Sequence, residues 1–204
     1  KSRHFPTGKQ FEMVAVDESS GNAFLVGRES REMAFVDLKQ NRVRTIPWTD
    51  REEIVLNLNQ TPPPPIRKVA CDQGSGTVLA VDGYTSPLHA FAAAGGKRLG
   101  QRRLGLVSGA RWHFAAYSQS RHAFVLVVET AERKAVQAAK ISAGTAPDTI
   151  IPLPGLTEAV GVSYNDASDE LYIPYDNHPS LHVVDFKDQG RVSEIRLPAY
   201  GNDA

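Results

Sequence analysis

Five side chains able to do chemistry stand at comparable points of the chain: Glu12, Arg67, Arg111, His113 and Glu158. Each lies just ahead of, or inside, the first apolar run of a segment that recurs along the sequence. Two carboxylates, two guanidiniums and one imidazole can hold a hard cation through oxygen, steer an anionic substrate or move a proton. In that set Glu12 and Glu158 are the acid–base or cation-ligating members. Arg67, with Lys68 beside it, Arg111 and His113 are the anion-steering members. The ordinary alternative is a rim of charges that pair across an opening, with His113 hydrogen-bonded inside its own sheet.

The remaining motifs read as turns and solvated charge. The other histidines are His4, His89, His122, His178 and His182. His178 and His182 are four residues apart, but Pro179 and a strand context exclude a helical pair sharing zinc. His113 is the one to test, because alternation beside Trp112 sends one of the two towards a channel. There is no Gly-x-Ser-x-Gly elbow, and Gly74-Ser-Gly76 and Gly95-Gly96 read as turns. Lys97 to Arg103 is the densest basic run. It lacks interleaved aromatics, so it reads as an exposed hairpin rather than a nucleic-acid patch. The acidic stretch Asn165 to Glu170 lacks the spacing of an EF-hand loop and reads as a solvated turn.

The segments that carry these residues recur along the chain. An apolar run, a turn rich in Asp, Gly, Ser or Asn, and a second apolar run recur as Val14–Val26, Val69–Val81, Phe114–Leu126 and Gly161–Ile173. Aligned on Val16, Cys71, Ala116 and Ser163, the copies are 55, 45 and 47 residues apart. Intervals of about 40 to 50 residues mark four-stranded propeller blades. The expected fold is therefore an all-β propeller with about four blades, at 11–48, 66–107, 111–153 and 159–197. All four belong to one domain over 1–204. Within them the strands are expected at 11–17, 22–27, 32–38 and 43–48; 66–72, 77–82, 87–92 and 102–107; 111–117, 122–129, 134–141 and 149–153; and 159–164, 169–175, 180–186 and 192–197. Met33–Leu38 and Leu181–Phe186 are near copies, each with an Asp just before the end of a third strand. Glu129 to Lys140 is rich in helix formers, but the repeat requires a hairpin and third strand there. Residues 49–65, with Pro62 to Pro65, read as an extended connection that lengthens the first interval.

The pattern running from Val16-Asp17 through Leu25-Val26 to Phe35-Val36-Asp37-Leu38 resembles the YVTN-type repeats of lactonase-like β-propellers. That group includes lactonases and cyclases with six or seven blades, dehydrogenase subunits and extracellular binding proteins. In lactonases that resemble regucalcin, a Glu opening a first blade joins Asn and Asp residues around an axial metal, which implies Ca²⁺ or another divalent cation. Glu12 stands in the comparable place. The chain departs from that pattern at Glu158-Ala-Val-Gly161, where a Pro-Asn-Gly-like turn would supply an Asn. Four units in a group that needs six or seven imply a portion of a larger propeller, a compact ring, or an array completed by a second chain.

Composition sets the remaining bounds. The 204 residues are 41% hydrophobic and 23% charged, enough for a real core. Lys plus Arg and Asp plus Glu each total 23, so no overall field draws the chain to nucleic acid. No apolar stretch approaches the roughly 20 residues of a membrane span. Cys71 is the single cysteine, read as a buried strand thiol, and the compartment stays open. The chain begins at Lys1, which reads as a processed or trimmed start. The function expected first is binding of a protein, peptide or small ligand on one face or at the channel rim. A lactonase-like or cyclase-like enzyme is the second reading, and a structural subunit of a larger ring the third.

Overall fold

The computed structural model describes residues 11–27, 32–47, 66–82, 87–106, 111–129, 135–154, 159–175 and 179–197. These residues form sixteen strands in four antiparallel four-stranded sheets, with strand order following chain order in every sheet and no helix among them. This is the blade architecture of a β-propeller. Blade 1 comprises β1 (Met13–Asp17), β2 (Asn22–Val26), β3 (Glu32–Asp37) and β4 (Arg42–Pro47). Blade 2 comprises β5 (Ile66–Asp72), β6 (Thr77–Asp82), β7 (Pro87–Ala92) and β8 (Arg98–Arg103). Blade 3 comprises β9 (Arg111–Ser118), β10 (Ala123–Glu129), β11 (Ala135–Ser142) and β12 (Thr149–Pro154). Blade 4 comprises β13 (Ser163–Asn165), β14 (Glu170–Pro174), β15 (Ser180–Asp185) and β16 (Arg191–Arg196). The Pro62–Pro65 connection lies outside the described residues.

The chain divides into two compact units, Lys1–Leu104 and Gly105–Ala204, each holding two blades. In the first unit β1 runs beside β5. Ala15, Phe24, Met33, Phe35 and Ile46 of blade 1 form one core with Val69, Cys71, Val78 and Phe91 of blade 2. In the second unit Val125, Val127, Val136 and Leu153 of blade 3 pack with Leu171, Ile173, Val184 and Phe186 of blade 4. Alternation places one set of side chains on each face of a blade, so sheet-on-sheet stacking removes both sets from water. All seven residues of β10 are buried, whereas all six of β16 are exposed. Burial thus falls from the middle of a blade to its outer strand.

The repeated turn has a physical cause. The first strand of a blade ends in Asp17, Asp72, Ser118 or Asn165, each the last residue paired in its hairpin. These side chains accept hydrogen bonds from the turn that follows: Asp17 from Ser19, Asp72 from Gly74 and Ser75, Ser118 from Arg121, and Asn165 from Ala167. The last turn residue is left-handed, at Gly21, Gly76, His122 and Asp169. Such local Asx-type bonds stabilise turns over continued strand. The equivalent inner positions are therefore Val16, Cys71, Tyr117 and Tyr164, which moves the third and fourth alignment anchors by one residue from Ala116 and Ser163. With a period of two, that shift exchanges the faces of both strands.

Two other expectations change. The fourth strand of blade 2 is β8, at 98–103 rather than 102–107. The chain reverses as soon as Gly96, at φ +62°, donates to the Ala92 carbonyl at 2.7 Å. The basic run is thus an outer edge strand, where charge is tolerated and discourages pairing with other chains. The opening strand of blade 4 is split into an isolated bridge, Ala159 with Tyr175, and β13, separated by Gly161 at φ +62°. As the repeat required, the helix-forming stretch 129–140 supplies the end of β10 and most of β11, because β11 pairs with strands on both sides.

Candidate functional site

The inner strand of blade 3 carries the site. In β9, Trp112 pairs with Val128 and Phe114 with Val127, so His113 is an extra residue, a β-bulge. Inner strand β5 of blade 2 shows the same irregularity: Ile66 pairs with Asp82 and Lys68 with Val81, leaving Arg67 as the extra residue. Counted from the strand ends at Ser118 and Asp72, His113 and Arg67 hold equivalent positions. Bulges re-aim side chains and gather at the rims of sheets and next to active sites.

At the His113 bulge, Nε2 lies 2.9 Å from Glu129 Oε2, and the two side chains are 8% and 0% exposed. Glu129 ends β10 and pairs directly with Arg111 across the sheet. Its second oxygen, Oε1, is buried with no hydrogen-bond partner among the described residues. A buried carboxylate is costly unless it is paired and fully hydrogen-bonded, and this one is only half so. With Nε2–H turned to the carboxylate, Nδ1 becomes the basic nitrogen of the ring. Trp112 Nε1 is also buried without a partner among the described residues, but Trp112 pairs with Val128, one step from the Glu129 row and hence on the other face of the sheet.

The sequence-derived residues divide accordingly. His113 belongs to this constellation, and the backbone of Arg111 pairs opposite Glu129. Arg67 holds the matching bulge of blade 2, in the other unit. Glu12 precedes β1, is exposed, and its backbone N–H donates to the Val26 carbonyl at 3.0 Å. Glu158 lies outside the described residues, as do His4 and His178. Glu129 was missed. The signal was there, a lone carboxylate closing the apolar run Ala123–Val128, but it read as the start of a polar, helix-forming stretch.

A second polar cluster joins blades 3 and 4 at the opposite strand ends. Asp166 accepts from Ser118 Oγ and, at 2.8 Å, from Ser120 Oγ. The bond from Ser118, followed by that from Ser120, outweighs partial burial and holds the Asp166 carboxyl below its usual range. Asp169 accepts from Lys140 at 2.5 Å and Tyr164 at 2.7 Å, with Arg121 at 3.7 Å. Burial, then the bond to Asp169, pushes the Tyr164 hydroxyl up. Gln73 holds the place of Asp166 in blade 2, and it too reaches back to the preceding blade. It donates to Val16 carbonyl at 2.6 Å and accepts from Glu18 N–H at 3.1 Å. The acidic turn is therefore an inter-blade stitch whose carboxylates are already engaged. Among the described residues no group of three or more His, Cys, Asp or Glu side chains converges as metal ligands would.

No family model and no curated protein matches the chain. Solved propellers do. The dihydro-heme d1 dehydrogenase NirN in complex with DHE is 13% identical at a TM-score of 0.59, over 92% of this chain and 37% of its own. The periplasmic gluconolactonase PpgL of Pseudomonas aeruginosa is 10% identical at 0.58, over 93% of this chain and 55% of its own. The β-propeller domain of Cps50 (Swd1) from Myceliophteria thermophila is 12% identical at 0.56, over 92% and 56%. The chain thus spans between 37% and 56% of the propellers named here. The likeness is one of fold, and it agrees with the lactonase-like architecture read from the repeats.

Proposed function

We propose that this chain is a binding propeller whose four blades form one domain, and that it takes its ligand at the rim where β9 begins, through Glu129, His113 and Arg111. The observation that carries the reading is Glu129 Oε1, an acceptor withdrawn from water without a donor among the described residues. A ligand hydroxyl, amide N–H or ammonium placed there recovers the lost hydrogen bond, and Arg111 adds selectivity for a neighbouring anionic group. Calorimetry against sugar lactones, their open hydroxy acids, polyols and short peptides tests it. The expected result is binding by one class that weakens about tenfold or more in Glu129→Gln, where one of the two carboxylate acceptors becomes a donor. Equal affinity in Glu129→Gln would end the reading.

A second reading, lactone hydrolysis, is favoured by the His113–Glu129 pair, which has the base-and-orienter arrangement of acid–base catalysis. The gluconolactonase likeness makes lactones the substrates to try first. His113 Nδ1 would take a proton as the oxygen of water bonds to the lactone carbonyl carbon. The ring C–O bond then breaks, and the same proton returns to the leaving alkoxide, giving the hydroxy acid. A pH-stat assay with glucono-lactone distinguishes the two. Ring opening that disappears in His113→Ala supports hydrolysis, and binding without turnover supports the first reading.

A further inference from the structure

A second buried polar group without a partner lies across the interface from Glu129, within the same unit. Glu129 alternates with Val125 and Val127 along β10, and so stands on the face of blade 3 that packs against blade 4. Tyr175, one residue past β14, alternates with Leu171 and Ile173 on the face of blade 4 that packs against blade 3. The two sheets are stacked with like ends together, because Ser118 at the far end of β9 donates to Asp166 in the turn after β13. Counted from that end, Glu129 is the last of the seven residues of β10 and Tyr175 follows the five of β14, so they stand at matching depth on opposed walls. Tyr175 is 6% exposed, its ring lies edge-on to that of His182 at 5.3 Å, and its Oη is buried with no hydrogen-bond partner among the described residues. Burial pushes that hydroxyl up, which keeps it a neutral O–H. Ser180, the buried hydroxyl that opens β15, is by contrast engaged, donating to Glu194. One unmet acceptor and one unmet hydroxyl therefore remain at this end of the interface, each at a cost that packing does not relieve.

We propose that Tyr175 is a second ligand-binding side chain of this site, and that the group held between it and Glu129 is the hydroxyl of a polyol. The inference rests on the binding reading above and narrows it. A carboxylate oxygen only accepts, whereas a phenol donates and accepts. An ammonium only donates, so it would serve Glu129 and leave the Tyr175 O–H unmet. A trans amide carries its donor and its acceptor on opposite sides of the peptide plane, so it cannot offer both to one narrow gap. A hydroxyl donates to Glu129 Oε1 and accepts from Tyr175 Oη through a single oxygen.

Ligand-observed NMR titrations with sorbitol, glycerol, putrescine and N-methylacetamide test this on the wild-type chain, Glu129→Gln and Tyr175→Phe. The polyols are expected to bind about tenfold or more tightly than the amine and the amide, and Tyr175→Phe is expected to weaken the polyols by about tenfold. That variant keeps the ring against His182, and urea titration of the same sample establishes that it is folded. A folded Tyr175→Phe that binds the polyols as wild type does would overturn the proposal, since a purely structural hydroxyl would change stability and leave affinity alone. So would a wild-type chain that binds neither polyol, or that prefers putrescine or the amide. Weakening in Glu129→Gln alone sinks the role of Tyr175 and leaves the binding reading standing, whereas equal affinity in both variants ends the two together.

Discussion

Glu129 shows how much a single buried charge constrains its surroundings. Removing one partner of a buried pair leaves the other uncompensated, so His113→Ala is expected to lower unfolding free energy by about 3 kcal/mol, measured by urea titration. Carboxylates elsewhere set the acid limit of the fold. Partial burial works against ionisation at Asp17, but bonds from Ser20 and Ser19 outweigh it, and the carboxyl sits below the usual carboxylate range. Asp166 behaves likewise through Ser118 and Ser120. Both folded-state values lie below the unfolded ones, so the unfolded chain binds more protons in acid. Their contribution is complete above about pH 4 and is lost as pH falls through the folded values, which denaturation midpoints at successive acid pH will show and Asp17→Asn/Asp166→Asn will blunt. Burial, with Asp17 and Asp72 adding to it, raises the Cys71 thiol to about 11. Cys71 should therefore react with a thiol reagent only after denaturation. Of the candidate site, His113 was legible because it stands near the start of an inner strand. Glu129 was not, because sequence shows a charge but not the sheets that will enclose it.

Strand positions were legible almost to the residue wherever a side-chain cap marks the turn. Asp37 and Asp185, the two near-copied aspartates, accept from the backbone of Lys39 and Lys187 at 2.9 and 2.8 Å and so end β3 and β15. Strand β8 escaped because its place depends on how early the Gly96 turn closes and not on apolar alternation. Glycine at the third turn does more than bend the chain. A Cβ built on Gly190, at φ +83°, would come within 2.7 Å of Ile151 Cγ1 on the outer strand of the preceding blade. Gly96 stands in the same relation to Ile46. Gly76, at φ +62°, meets nothing within 4 Å. Gly76→Ala should therefore cost only the left-handed backbone penalty of about 1 kcal/mol, whereas Gly190→Ala adds overpacking and should cost about 2 to 4 kcal/mol. Paired thermal melts of the two variants check the difference.

For the molecule as a whole, four repeats were enough to name the fold, because stacked sheets impose the same burial alternation on each copy. How far the faces of the first and last blades are covered was not legible, since the repeat looks alike whether or not a neighbour lies against it. The described burial predicts a gradient of protection. Amide hydrogens of β10, buried throughout, should exchange slowest, and those of the outer strand β16 fastest, which exchange followed by mass spectrometry on peptides will read. One consequence reaches beyond this sequence. The space beside Gly190 is filled by Ile151, and that beside Gly96 by Ile46, so in kindred chains the glycine and its isoleucine should covary. Where the outer strand has drifted to alanine, the turn is released to carry a side chain, and where the turn has gained one, the isoleucine should have shrunk.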